Sequence, residues 1–207
     1  MQLKPILPAL LAGVIALSAG CGDGKNSAEK GSANQGAVNQ GSSDKNIPSQ
    51  ELKVVIIRHG EKPADGDNLS CQGLNRALQL PAVLHQKFNK PDYTYVPALK
   101  MDKSTSHSRM FQTVTPFAVK YDLTINSNYD ESELNNAAKS VLKKSGTVLM
   151  VWEHNAIPDL ASALGVANPP TWAGADFDSI WISSYTGGKA SLTTDQEGLN
   201  PSENCSF

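Results

Sequence analysis

Two apolar runs dominate the pattern along the chain: Leu52 to Ile57 (LKVVII) and Thr147 to Trp152 (TVLMVW). Each is the length of a strand and rich in β-branched residues, as expected of strands buried on both faces. The segments between them change to helical spacing. Ser70 is a natural cap for a helix running to about Phe88, with Leu74, Leu78, Leu84 and Phe88 as its apolar side and Pro81 as a potential kink. A second helix is expected over Arg109 to Tyr121, again with an internal proline. Leu123 to Asn126 reads as a short strand. Leu134, Ala137, Ala138, Val141 and Leu142 then recur at helical spacing, with Ser132 or Asp130 as the cap. Ile157, Leu160, Ala161 and Leu164 mark a further helix, which Gly165 stops. Phe177 to Ser183 predicts a late strand and Lys189 to Leu192 its partner. Alternating strands and helices predict an α/β fold, three layers deep, with a mostly parallel sheet flanked by helices. In such a sheet the chemistry sits at the carboxyl ends of the strands.

The N-terminal fifty residues follow a different pattern. Met1 to Lys4 carries one positive charge, and Ile6 to Ala19 is apolar or small. That run is too short for a comfortable membrane span and fits a signal peptide over residues 1–20. It ends in Leu17-Ser18-Ala19-Gly20-Cys21, which resembles the bacterial lipoprotein signal. The resemblance implies lipidation (palmitate included) at Cys21 and a membrane anchor there. Gly22 to Gln50 is rich in Gly, Ser, Asn, Gln, Ala and Lys and lacks aromatics, so residues 21–50 read as a flexible tether. Such a tether spans on the order of 30 Å. The expected location is the bacterial envelope, facing the periplasm or the outside. An aspartate after the lipidated cysteine would favour the inner membrane of a Gram-negative cell; Gly22 stands there, which points to the outer one.

Composition narrows the rest. The 207 residues allow one ordinary domain beyond the tether, at 51–207. The formal net charge of -2 offers no basic face for nucleic acid. With Cys21 lipidated, two of the three cysteines remain, Cys71 and Cys205. Outside the cytoplasm such a pair is expected to form a disulfide.

Both apolar strands end in titratable residues, Arg58-His59-Gly60-Glu61 and Glu153-His154-Asn155. An arginine presents a planar fork of donors that suits phosphate. A neighbouring histidine can attack phosphorus if one ring nitrogen is free and the other is held. Two further stretches join them. LKVVIIRHGEK resembles the opening strand and signature of the histidine phosphatase superfamily, which also contains the phosphoglycerate mutases. Leu69-Ser70-Cys71-Gln72-Gly73-Leu74-Asn75-Arg76-Ala77 resembles the start of that family's first helix. Ser106-His107-Ser108-Arg109-Met110-Phe111-Gln112-Thr113 resembles its second arginine motif. Val148 to His154 is similar to its strand ending in a second catalytic histidine. The four stretches occur in the family's order and cover most of residues 52–165.

The resemblance implies a phosphatase that works without metal or other cofactor. His59 would carry the phosphoryl group, while Arg58, Arg109 and His154 surround it. The partner would be a phosphorylated small molecule, a glycan or a phosphohistidine. The family's proton donor is not assigned by the motifs, because Asn155 stands where one branch has an acid. Glu131, in the segment that supplies it in the other branch, is a candidate, as are Glu61 and Glu153 by proximity. Asp130 and Glu133 read equally well as helix-capping charges. His107 is a possible pocket residue, and His85 reads as a helix-surface histidine. Trp152, Trp172 and Trp181 are too scattered for a stacking platform and are expected in the core or at the rim. Two other functions compete. A catalytically weak relative would bind a phosphorylated ligand without turnover. A metal hydrolase would use His59, His154 and nearby carboxylates, against the repulsion of two arginines.

Overall fold

The computed structural model describes residues 51–101, 105–205 and 207. The elements run β1 (Leu52–Arg58), α1 (Cys71–Phe88), β2 (Tyr93–Tyr95), β3 (Lys100–Met101), β4 (Thr105–Ser106), α2 (Ser108–Tyr121), β5 (Ile125–Asn126), α3 (Leu134–Val141), β6 (Gly146–Trp152), α4 (Ile157–Ala163), β7 (Ser179–Thr186) and β8 (Lys189–Gln196). The expected leader, the lipidation site at Cys21 and the tether lie outside the described residues.

The two long apolar runs become adjacent central strands because both their faces find cover. Six strands form one sheet in the order β5-β2-β6-β1-β7-β8, and β3 pairs with β4 apart from it. The pairs β5–β2, β2–β6 and β6–β1 are parallel, while β7 is antiparallel to both β1 and β8. The parallel part needs helical crossovers; the β7–β8 pair needs only the turn at Gly187 and Gly188, both at positive φ. So the expected parallel sheet carries an antiparallel edge.

Alternate residues of β1 point into two separate cores. Leu52, Val54 and Ile56 pack with Ala137 and Val141 of α3 and Leu160 and Ala161 of α4. Val55 and Ile57 pack with Leu80 and Leu84 of α1 and Met110, Val114 and Phe117 of α2. This period of two divides the molecule into three layers, helices covering both sheet faces. Trp152, Trp172 and Trp181 all lie in the first of these cores.

Two expectations are corrected, and one strand of the sheet is additional. The buried side of α1 is Gly73, Arg76, Ala77, Leu80, Pro81 and Leu84, and Leu78 is left 49% exposed. Carboxylates on other elements draw Arg76 inward and so set the rotation of the helix. The helix continues through Pro81. The strand Tyr93–Tyr95 was not anticipated, because three residues carry too little pattern; yet its partners β5 and β6 place it inside the sheet. Helix α3 begins at Leu134 with Glu133 at its N-cap, not Ser132 or Asp130.

The C-terminal tail returns to the start of α1, as expected. Cys71 and Cys205 are disulfide-bonded across 134 residues of sequence. Asn75 Nδ2 donates to the carbonyls of Ser202 and Asn204 beside it.

Candidate active site

The parallel register of β1 and β6 sets Arg58 opposite Trp152. The chain leaves both strands at one level, and the His59 amide still donates to the Trp152 carbonyl at 3.2 Å. His59 therefore emerges beside Glu153 at the carboxyl edge of the sheet, where both strand ends open into loops.

His59 is fully buried. Its Nδ1 lies 2.7 Å from the Gly60 carbonyl oxygen, and its Nε2 lies 2.9 Å from Glu153 Oε2. A carbonyl oxygen only accepts, so Nδ1 carries a proton. Nε2 in turn faces a carboxylate oxygen, so that contact holds a proton too, on the ring or on the acid. The other oxygen of Glu153, Oε1, is held by the backbone amide of His154 at 3.1 Å and by His154 Nδ1 in a short contact. One carboxylate thus bridges the two histidines. Burial would raise the Glu153 pKa, but hydrogen bonding to and the charge of His59, and then of His154, outweigh it and hold the carboxyl down at about 2.

Arg58 is 2% exposed. Its Nη1 donates to the carbonyls of Gly174 at 2.8 Å and Asp176 at 3.1 Å. Its guanidinium carbon stacks 3.7 Å from the Phe177 ring centroid. Its Nε is buried and has no hydrogen-bond partner among the described residues, which is a cost unless something else accepts from it. Burial lowers the Arg58 pKa; Glu153, Asp176 and Glu61 oppose that, and the charge of Arg109 adds to it. The two arginines therefore feel each other across the same space.

Arg109 sits in the first turn of α2. Its Nη1 donates to the Gly66 carbonyl at 2.9 Å. The same helix is fastened to the loop after β1 at three more points. Ser108 Oγ donates to the Asp67 carbonyl, Gln112 Oε1 accepts from the Leu69 amide, and Thr113 Oγ1 accepts from the Gly60 amide at 2.9 Å. Thr113 Oγ1 also donates to the Arg109 carbonyl. The Ser-Arg-Met-Phe-Gln-Thr run is thus a set of pegs that fix Arg109 relative to the His59 loop.

His154 completes the cluster. Its Nε2 lies near Gly174, 3.8 Å from where a Cβ on that glycine would sit. His154 thereby approaches the segment that carries the two carbonyls anchoring Arg58. The structure brings together His59, Arg58 and Glu153 with His154, and sets Arg109 within electrostatic reach of Arg58.

The side chains of the other two carboxylate candidates are held by other partners, although Glu61 lies within electrostatic reach of Arg58 and the Glu131 carbonyl accepts from Trp152 Nε1. Glu61 is 9% exposed and clasped by Arg76, whose Nη2 reaches Glu61 Oε1 at 2.7 Å and whose Nε reaches both oxygens. Arg76 also meets Glu197 at 2.5 Å and Asp178 at 3.3 Å. Glu131 pairs with His107, Oε2 to Nε2 at 3.0 Å, and His107 Nδ1 donates to the Ala98 carbonyl. Neither Glu61 nor Glu131 hydrogen-bonds His59 or His154. Asp130 pairs with Lys100 at 3.1 Å, and Glu133 accepts from the Asp130 amide and Asn136. His85 stacks on Tyr121 far along α1.

Residues the sequence did not single out include Phe177, which forms the floor under Arg58, and the carbonyls of Gly174 and Asp176. Asp176 itself accepts from Ser179 and from the Asp178 amide, which stiffens that turn. No local signal announces a carbonyl that an arginine 116 residues away will use. Among the described residues no three His, Cys, Asp or Glu side chains converge as a metal site would require. A groove of about 680 Å³ opens at the other end of the sheet, between the last turns of α3 and α4 and the β7–β8 turn, away from these residues.

No model of a known protein family matches the chain, and no curated protein matches it. Among solved structures, the chain is similar to the phosphohistidine phosphatase SixA assigned in Agrobacterium tumefaciens. The two are 14% identical with a TM-score of 0.46, covering 72% of this chain and 98% of that one. It is also similar to a protein described as mycobacterial hydrolase 2, at 12% identity and a TM-score of 0.48 over 70% of this chain and 90% of that one. A third likeness, at 12% identity and a TM-score of 0.47, is to a mycobacterial glucosyl-3-phosphoglycerate phosphatase bound to inorganic phosphate, over 69% of this chain and 95% of that one.

Proposed function

We propose that this chain is a histidine phosphatase: it hydrolyses a phosphomonoester through a phosphohistidine on His59. The observation that carries the reading is the state of the His59 ring. Nδ1 is committed to the Gly60 carbonyl at 2.7 Å, so Nε2 is the nitrogen left to react. It faces Glu153 Oε2 at 2.9 Å at the carboxyl edge of the sheet, next to the buried Arg58. A histidine wanted only for packing would not be held this way beside a buried arginine with an unused donor.

The chemistry follows from the donors. Arg58, with its free buried Nε, and Arg109 bind the non-bridging oxygens of the phosphoryl group. His154 adds a further donor from the neighbouring strand end. These groups are fixed before substrate arrives, by Gly174, Asp176 and Phe177 on one side and Gly66 and Thr113 on the other. Preorganised charge of this kind typically contributes about 3–4 kcal/mol per donor in the transition state. Passing through a phosphoenzyme splits one difficult displacement into two easier ones.

The substrate class is the phosphate ester of a small molecule or a glycan, with phosphohistidine, whose P–N bond is open to the same attack, as the alternative. The workplace is the bacterial envelope, with the domain tethered through lipid on Cys21. The leader-like run before Cys21 and the Cys71–Cys205 disulfide support that placement.

The test is hydrolysis of para-nitrophenyl phosphate with chelator present, for the parent and for His59→Ala, followed by acid-labile phosphate on the trapped protein. Turnover and labelling in the parent, both absent in His59→Ala, is the expected result. Equal turnover by His59→Ala would overturn it.

A further inference from the structure

The proton that the leaving oxygen needs must come from a group that touches the reacting atoms. Three carboxylates were open on sequence grounds, and only one of them reaches His59. Glu61 spends both its oxygens on Arg76, and Glu131 faces His107. Glu153 Oε2 lies 2.9 Å from the nitrogen that attacks. It therefore stands where the phosphorus must arrive, and has to swing aside as the ester binds. Its other oxygen can stay on the His154 amide while it does so. Turning about that anchor would free Nε2 and leave Oε2 beside the incoming phosphoryl group.

We infer that Glu153 is the acid–base of this site: it takes the proton from His59 Nε2, delivers it to the leaving oxygen, and recovers it from the attacking water. The inference rests on the phosphatase reading given above.

The steps balance. In the free site one proton lies between Nε2 and Oε2, because the Gly60 carbonyl already accepts the proton on Nδ1. As substrate binds, that proton stays with Glu153, which becomes a neutral carboxylic acid. A neutral acid is also the form that tolerates an anionic phosphoryl group beside it. The Nε2 lone pair then attacks phosphorus and forms the N–P bond. The bond from phosphorus to the ester oxygen breaks, and that oxygen takes both the electron pair and the Glu153 proton, leaving as an alcohol. Water next attacks phosphorus and gives a proton to the Glu153 carboxylate. The N–P bond breaks with its electron pair returning to Nε2, phosphate departs, and the proton again lies between Glu153 and His59. Ester and water are consumed; alcohol and phosphate are formed.

A general acid matters in proportion to how poor the leaving group is. The experiment therefore compares two esters on the full chain: glycerol phosphate, whose alkoxide leaves badly, and para-nitrophenyl phosphate, whose phenolate leaves well. The proteins are the parent, Glu153→Gln and His59→Ala. Glu153→Gln is expected to lose on the order of 10²–10⁴-fold in kcat/KM on glycerol phosphate and about tenfold or less on para-nitrophenyl phosphate. In the same variant the phosphohistidine is expected to build up on the aryl ester, because water then attacks without a base. An equal loss on both esters would overturn the assignment, since a merely positional role is blind to the leaving group; so would undiminished turnover of glycerol phosphate. Full activity in His59→Ala would instead remove the reading of His59 as the phosphoryl carrier, and a parent that hydrolyses neither ester would remove the phosphomonoesterase reading; the assignment would fall with either. Glu131→Gln is the comparison variant and should leave the ratio between the two esters unchanged.

Discussion

Gly73 and Glu61 meet backbone to backbone: a Cβ added to Gly73 would lie 2.2 Å from the Glu61 carbonyl oxygen and 2.8 Å from its amide nitrogen. The same carbonyl accepts from the Ser70 amide and hydroxyl. The first turn of α1 is thus pressed onto the loop that carries His59. Neither partner is the flexible end of a side chain, so Gly73→Ala forces the helix away from the loop. It is expected to cost about 1–3 kcal/mol and to lower kcat/KM as His59 shifts. Thermal unfolding and phosphatase assays measure both; Leu78→Ala, on the exposed side of the same helix, should stay within about 0.5 kcal/mol of the parent.

Arg58→Lys is not conservative here. The guanidinium makes two hydrogen bonds to carbonyls and stacks on Phe177 at once, a combination an ammonium cannot reproduce. A drop of roughly 10²–10³-fold in kcat is expected, as for removal of one preorganised donor. Phe177→Leu should give a smaller loss of the same kind, since it removes the floor and leaves both carbonyls. Steady-state kinetics on para-nitrophenyl phosphate separate the two.

Stability should depend on pH through two carboxylates of opposite sign. Glu153 is held at about 2, below its ordinary 4.5, so its contribution is present above pH 4.5 and is lost as pH falls through about 2. Glu197 is pushed up to about 8 by burial, although Arg76 opposes this; its Oε1 is buried without a partner among the described residues. The folded state then holds a proton that the unfolded chain releases near 4.5, so stability falls as pH rises from there to about 8. Denaturant unfolding across this range should show the decline, on the order of a few kcal/mol. Glu197→Gln should flatten it while leaving the acid limb intact.

Reduction of the Cys71–Cys205 bond should loosen the tail without unfolding the domain. The bond closes a long loop, worth about 4–5 kcal/mol by chain entropy. Asn75 still holds the Ser202 and Asn204 carbonyls when the bond is broken, and the hydrogen bonds that hold Arg58 and His59 come from other residues. Thermal unfolding with and without reductant should show a lower Tm in reductant and unchanged kcat at ambient temperature.

Cys21→Ser should release the protein from membranes. Detergent partitioning and mass spectrometry of the mature N-terminus measure this. Recovery of a lipid-free parent in the aqueous phase would count against the envelope placement.

The sequence alone determined most of the elements and nominated the residues of the candidate site. LKVVII and TVLMVW marked the two central strands because burial on both faces leaves a near-continuous apolar run. Arg58, His59, Arg109 and His154 were identifiable because their motifs are local, each a few residues next to a strand end or helix start. Tertiary structure alone decided which residues face one another. The register of β1 on β6 puts His59 beside Glu153, and no local pattern encodes a register between strands 94 residues apart. Glu61, Glu131 and Glu153 are chemically alike in sequence. Arg76 took the first and His107 the second, leaving the third on His59. The same long-range pull turned α1 away from the stripe its leucines predict, because burying a charge requires its partners, and those lay on other elements.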